Sequence, residues 1–100
     1  MPGRPRPYRL LPLAESDLEE IWRYTFKTWS MEQADRYHAG IVSAFEEIAD
    51  GWRVGLPSTV RQGYMKSRVG SHFIYYRIED ASVVVVRILH TKMDVERHLN

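Results

Sequence analysis

Residues 72–90 read HFIYYRIEDASVVVVRILH. β-branched and aromatic residues fill both ends, and Glu-Asp-Ala-Ser in the middle is polar and small, so the stretch predicts two strands joined by a tight turn. Turn length then decides which side chains share a face. A two-residue turn at Asp80–Ala81 pairs positions that sum to 161 and mixes polar and apolar residues on both faces. A three-residue turn at 80–82 gives sums of 162 and gathers His72, Ile74, Tyr76 and Ile78 with Val84, Val86, Ile88 and His90. The second register is the one expected. It leaves Phe73, Tyr75, Arg77, Val83, Val85, Arg87 and Leu89 on the opposite face.

Outward from this hairpin, "YMKSRV" at 64–69 predicts one more strand, with Gly70-Ser71 as its turn into 72–79. Residues 51–63 hold three glycines and one proline without a sustained period, and are expected to be an irregular connection. Upstream, Ala34, Tyr37, His38, Ile41, Phe45 and Ile48 recur at helical spacing. Ser30 with Gln33 has capping-box spacing, and Gly51 is a suitable terminator, so a helix is expected over 31–50. Leu18, Ile21, Trp22, Thr25 and Trp29 mark a helix over about 14–29, expected to pack Trp22 and Trp29 near Tyr37 and Phe45. "YRLLPL" at 8–13 predicts a short strand, and prolines 2, 5 and 7 an extended arm over 1–7. Asp94 is positioned to cap one terminal helical turn. The order is βααβββ: a single α+β domain over 8–100, its antiparallel helix hairpin packed on one face of a small, mainly antiparallel sheet.

Composition limits the function classes. The chain has 100 residues, enough for one core, and no cysteine, which excludes disulfide staples, thiolate metal sites and cysteine nucleophiles. Residues 1–50 carry 6 basic against 9 acidic residues and residues 51–100 carry 8 against 4, so the helices are acidic and the sheet basic. An excess of that size is small for a nucleic-acid protein, and no direct nucleic-acid binding is expected. Nothing resembles an apolar leader or a membrane span, so a cytoplasmic location is expected.

A nuclease would need a base, a cationic cluster and an acid in one place. Tyr64, Arg68, Arg77, Arg87 and His90 are the residues available. His90 falls on the helix side with His72, where a hydrogen-bonded structural role is expected of both. His90, Asp94 and His98 are spaced like metal ligands but fall on different elements, so no metal is expected, nor any cofactor. No catalytic residue is therefore assigned. The open apolar face with spaced arginines predicts a protein partner instead. The expected contact residues are Trp29, Tyr64, Arg68, Phe73, Tyr75, Arg77, Arg87 and Leu89.

Three ordered segments, P-x-A-x-x-D-L-x-x-I at 12–21, G-S-H-x-I-x-Y-R at 70–77 and V-R-I-L-H-x-x-M-D at 86–94, resemble the RelE/ParE superfamily of type II toxin–antitoxin toxins, and its ParE branch most closely. The resemblance covers nearly all of the chain past residue 7. It implies a βααβββ fold, neutralisation by a ParD-like antitoxin, and growth arrest by direct, non-enzymatic inhibition of DNA gyrase. The RelE branch would instead imply a ribosome-dependent mRNA endonuclease. The basic residue usual after Gly-Tyr in the ParE branch is displaced here: Gly63-Tyr64 is followed by Met65, then Lys66.

Overall fold

The computed structural model describes residues 6–99. The expected arm therefore lies outside the described residues apart from Arg6 and Pro7. Element order is β1 (Tyr8–Leu10), α1 (Pro12–Thr28), α2 (Met31–Asp50), β2 (Leu56–Pro57), β3 (Met65–Val69), β4 (His72–Glu79), β5 (Ser82–His90) and α3 (Val95–His98). The strands form one five-stranded sheet in the order β1-β5-β4-β3-β2. β1 runs parallel to β5 and every other pairing is antiparallel. The α+β class and the helix hairpin are as the sequence implied. β2 is an addition, a two-residue strand inside the segment expected to be irregular.

α1 begins two residues earlier than its periodicity suggested because Pro12 occupies the first helical turn, where its missing N–H and fixed φ cost nothing. β1 is correspondingly shorter. α2 starts as its spacing implied: the Ser30 hydroxyl accepts a hydrogen bond from the Gln33 amide at 3.0 Å, and the helix ends on Gly51 at φ +85°. Arg6 then completes that end. Its guanidinium donates to the Ile48 and Ala49 carbonyls, placing a cation on the negative pole of the helix dipole.

The main core lies between the helices and the sheet. Ala14, Ile41, Phe45 and Ile48 from the helices meet Ile74, Tyr76, Val83, Val85 and Ile88 from the strands. Tyr8 packs its ring 5.6 Å from Phe45. The expected clustering of Trp22 and Trp29 near Tyr37 and Phe45 does not occur. Trp22 stacks on Phe26 and donates to Asp35 across the hairpin, while Trp29, at the end of α1, is 74% exposed.

The β4–β5 register corrects the expectation in one half of the hairpin and keeps it in the other. The turn is the two-residue kind: Asp80 and Ala81 have φ of +47° and +63°, and Arg77 pairs with Val84, a sum of 161. A bulge between Tyr75 and Tyr76 then shifts the pairing, so that Tyr75 meets Arg87 and Ile74 meets Ile88, sums of 162. One extra residue on β5 reverses its alternation. Val83 and Val85 therefore join Ile88 on the helix side, and Val86 goes to the other side with Leu89. Both turn lengths considered from the sequence describe part of the hairpin, and the bulge reconciles them.

Candidate functional site

The face opposite the helices is built from odd-numbered positions of β4 and even-numbered positions of β3. Lys66 pairs with Tyr75 and Arg68 with Phe73, and the Lys66 ammonium sits 4.8 Å from the centre of the Phe73 ring. Arg77 projects from the same side and donates to the Tyr64 hydroxyl at 3.3 Å and to Glu79 at 2.9 Å. The Arg61 guanidinium also lies over the Tyr64 ring, 5.3 Å from its centre. A cleft of about 390 Å³ brings together Arg61, Tyr64, Arg77, Arg87 and His98 over an apolar wall of Leu11, Leu13, Val86 and Leu99.

This face is not uniformly open, which is the main correction to the expected contact surface. The chain turns back through α3 and lays Leu99, 2% exposed, over Tyr75 and Leu89, with Val95 beside it. Tyr75 and Leu89 are thus core residues of a second, smaller cluster, and burial pushes the Tyr75 hydroxyl above its ordinary titration range. Neither side chain can meet a partner while this segment is in place. Tyr64, Arg68, Phe73 and Arg77 keep accessible surface on the same face. Trp29 lies at the C-terminal end of α1 and not on this sheet face, and its side chain is exposed.

Arg87 has a different task from the one expected. Its Nε and Nη2 donate to both oxygens of Asp17 on α1, at 2.7 and 2.8 Å, with the paired side chains only 14% and 15% exposed. The third nitrogen donates to the His98 carbonyl at 3.0 Å. Asp17 Oδ2 also accepts the Ile88 amide at 2.9 Å, satisfying a strand edge that β1, paired only with Val83–Val85, does not reach. One bidentate pair therefore ties α1, β5 and the C-terminal segment together, and the paired carboxylate pushes the guanidinium pKa further up. Asp17 is not among the site residues that the sequence singled out. The sequence-level signal is a lone arginine in a buried strand, which needs an acid from the nearest helix.

The histidines lie on the opposite side of the sheet. The Tyr37 hydroxyl contacts His72 Nδ1 at 2.6 Å and the Val69 carbonyl at 3.0 Å, and it accepts the Ser71 amide at 3.0 Å. One α2 side chain thus fastens the whole β3–β4 turn. Gly70 is required there twice over: it has φ +57°, and a Cβ would lie 2.6 Å from the Tyr37 ring. Burial, with His90 adjacent, lowers the His72 pKa to about 4, so the imidazole is neutral near pH 7. Its structural role is the one the sequence suggested. His90 crosses His72 edge-on at 5.2 Å and accepts the Lys92 amide on Nδ1 at 3.1 Å. Both histidines line a groove of about 360 Å³ between α1 and the unpaired edge of β5, with Ile21, Tyr24, Ile88 and Met93 as its apolar wall.

Among the described residues no group of histidine and carboxylate side chains is arranged to hold a metal ion, and no helix is long and apolar enough to cross a membrane.

Comparison with known proteins is consistent across sequence and fold. The family model of the ParE toxin of type II toxin–antitoxin systems, parDE, matches residues 8–95. Toxin ParE1 of Mycobacterium tuberculosis is 39% identical over 94 residues, covering 92% of this chain and 96% of the relative. Toxin ParE1 of Caulobacter vibrioides is 37% identical over 95 residues, covering 94% and 98%. Among solved structures, the chromosomal ParDE TA system from P. aeruginosa shares the fold with a TM-score of 0.77 at 16% identity, covering 90% of this chain and 100% of that one. The toxin–antitoxin complex RelBE2 from Mycobacterium tuberculosis gives 0.64 at 28% identity, covering 87% and 99%. With a family model spanning nearly the whole sequence and relatives of the same length, this chain belongs to the ParE toxin family of type II toxin–antitoxin systems.

Proposed function

We propose that this toxin arrests growth by binding DNA gyrase, without chemistry of its own, and is held inactive by a ParD-like antitoxin. The observation that carries the non-enzymatic part is the state of the arginines. Stabilising a pentavalent phosphorane takes unpaired cations beside the reacting groups, and Lys66 and Arg68 do not line the cleft that holds Tyr64 and His98. Arg87 gives Nε and Nη2 to Asp17 and Nη1 to the His98 carbonyl, and Arg77 is paired with Glu79. His72 and His90, the imidazoles nearest in sequence to these arginines, are on the far side of the sheet. Support for an antitoxin comes from the solved relatives, which are a ParDE system and a toxin–antitoxin complex. The apolar groove between α1 and the β5 edge suits an amphipathic helix of such a partner.

The test is to express the chain alone and ask which macromolecule breaks. Gyrase-linked DNA breaks with intact transcripts are expected, together with inhibition of supercoiling by purified gyrase. Codon-positioned mRNA cuts would overturn the reading.

One observation favours that second outcome: Arg61, Tyr64 and His98 meet in the same cleft. Under a ribonuclease reading, Arg61→Ala and His98→Gln abolish cutting while the fold stays intact. Arg87→Ala is not a clean probe of either reading, because it also removes the tie to α1.

A further inference from the structure

The uncovered half of the open sheet face continues into the segment before β2. Two residues of this segment are anchored inward. Arg53 turns toward the helices, pairing with Glu47 at 2.9 Å and donating to the Arg68 carbonyl at 3.2 Å. Gly55 also turns inward, its amide donating to the buried Tyr76 hydroxyl at 3.0 Å; a side chain there would collide with that hydroxyl at 2.6 Å. Val54 between them is thereby forced out, 83% exposed; Leu56 follows on β2 at 67%, and Trp52, in the turn that closes α2, is 73% exposed. Leu56 pairs directly with Lys66. The result is an exposed apolar stripe beside Lys66 and Arg68, and the strand positions on this half of the face, among the described residues, carry no carboxylate.

We infer that this stripe, with Lys66 and Arg68, is a second docking surface for the antitoxin, one that takes an acidic amphipathic segment. The inference rests on the antitoxin reading above and adds a place and a chemistry to it. Charge complementarity selects the occupant's sign, since the cations have no acid opposite them on the surface. The three large apolar side chains select a polypeptide over a nucleic acid, because phosphates would use the cations and leave the stripe bare. Strand addition is disfavoured by Pro57 on the outer strand, so the segment lies across the face and does not extend the sheet. The surface is separate from the groove at α1 and β5, so one antitoxin chain can engage both and gain from the linkage.

The test uses the full toxin chain with a purified ParD-like antitoxin. Hydroxyl-radical footprinting should show Trp52 and Leu56 oxidised in the free toxin and protected in the complex. Lys66→Glu/Arg68→Glu should weaken binding at least tenfold and flatten its salt dependence, and Val54→Ser/Leu56→Ser should weaken it with the salt dependence unchanged. Circular dichroism of each variant separates these losses from unfolding. Unprotected side chains, or variants that bind as wild type while the antitoxin still engages, would overturn this surface and leave the antitoxin reading intact. Failure of the wild-type toxin to bind any form of the antitoxin would remove both. Protection of the same side chains by a 20-base-pair duplex, and not by the antitoxin, would overturn the inference in favour of nucleic acid.

Discussion

The two faces of the sheet solve opposite problems with the same residue types. On the helix side, polar groups are locked inward: Tyr37 holds a turn and a histidine, and Tyr76 holds Gly55. On the other side, cations are propped on aromatic rings and left at the surface, Arg61 over Tyr64 and Lys66 over Phe73. Asp17–Arg87 is the exception that joins the two faces, reaching from α1 around the β5 edge to the C-terminal segment. A closed face specifies the fold, and the other face leaves its cations at the surface beside aromatic rings. The difference can be broken at defined points.

The largest effect is expected at that junction. Asp17→Ala leaves a poorly exposed guanidinium without its counter-charge and the Ile88 amide without its acceptor, a loss of roughly 3–5 kcal/mol. Urea denaturation should show it as a lower midpoint, and proteolysis at the C-terminal segment should accelerate. Replacing both partners, Asp17→Leu with Arg87→Met, should recover much of the loss. If Asp17→Ala is neutral, the pair does not brace the two faces.

Next comes the clamp on the helix side. Gly70→Ala adds a Cβ against the Tyr37 ring at a positive φ, and about 2–3 kcal/mol should be lost. Tyr37→Phe removes the hydroxyl from three partners at a cost of about 1–3 kcal/mol. The G-S-H motif is then explained residue by residue: a turn glycine, an amide donor and an imidazole, all meeting one tyrosine.

That explanation shows how legible the molecule was. Helix periodicity, the Ser30 cap and the Gly51 terminator are local signals and were read to within a few residues. The side-chain roles at the open face depend on contacts far apart in the chain. Asp17 and Arg87 are separated by 70 positions, and no spacing rule links them. The cover over Tyr75 and Leu89 was missed for the same reason: a four-residue helix has little periodicity, yet it delivers Leu99 to a site formed by two other strands. Trp29 was read onto a buried stripe because its spacing fitted, but α1 ends there and its last turn overhangs the core.

A pH-dependent effect of similar or smaller size should come from His72. Its folded-state pKa of about 4 lies below the ordinary 6.5, so as pH falls the unfolded chain takes up a proton first. This contribution is complete above pH 6.5, declines between 6.5 and 4, and is level below that. Partial exposure screens the effect to about 2 kcal/mol or less. Thermal melts across the window should show the slope, and His72→Gln should remove its share of it. An identical slope in the variant would mean that the imidazole is as well solvated folded as unfolded.

The smallest effect tests the hairpin, the element on which both faces depend. Ala81 sits at φ +63°, where its Cβ is crowded, in a two-residue turn that requires positive φ at both central positions. Asp80 tolerates this conformation better, since its side chain can bond locally. Ala81→Gly removes the steric cost of about 1–2 kcal/mol but restores flexibility to the unfolded chain, so a net gain of about 0.5–1 kcal/mol is expected. The gain should appear as a higher denaturation midpoint with an unchanged slope. It should leave antitoxin binding unaltered, because the turn sets the register before the bulge and the bulge alone carries Arg87 to its place opposite Tyr75. A stabilised variant with weakened binding would mean that turn and bulge are coupled, and that strain at Ala81 helps to hold the two faces in register.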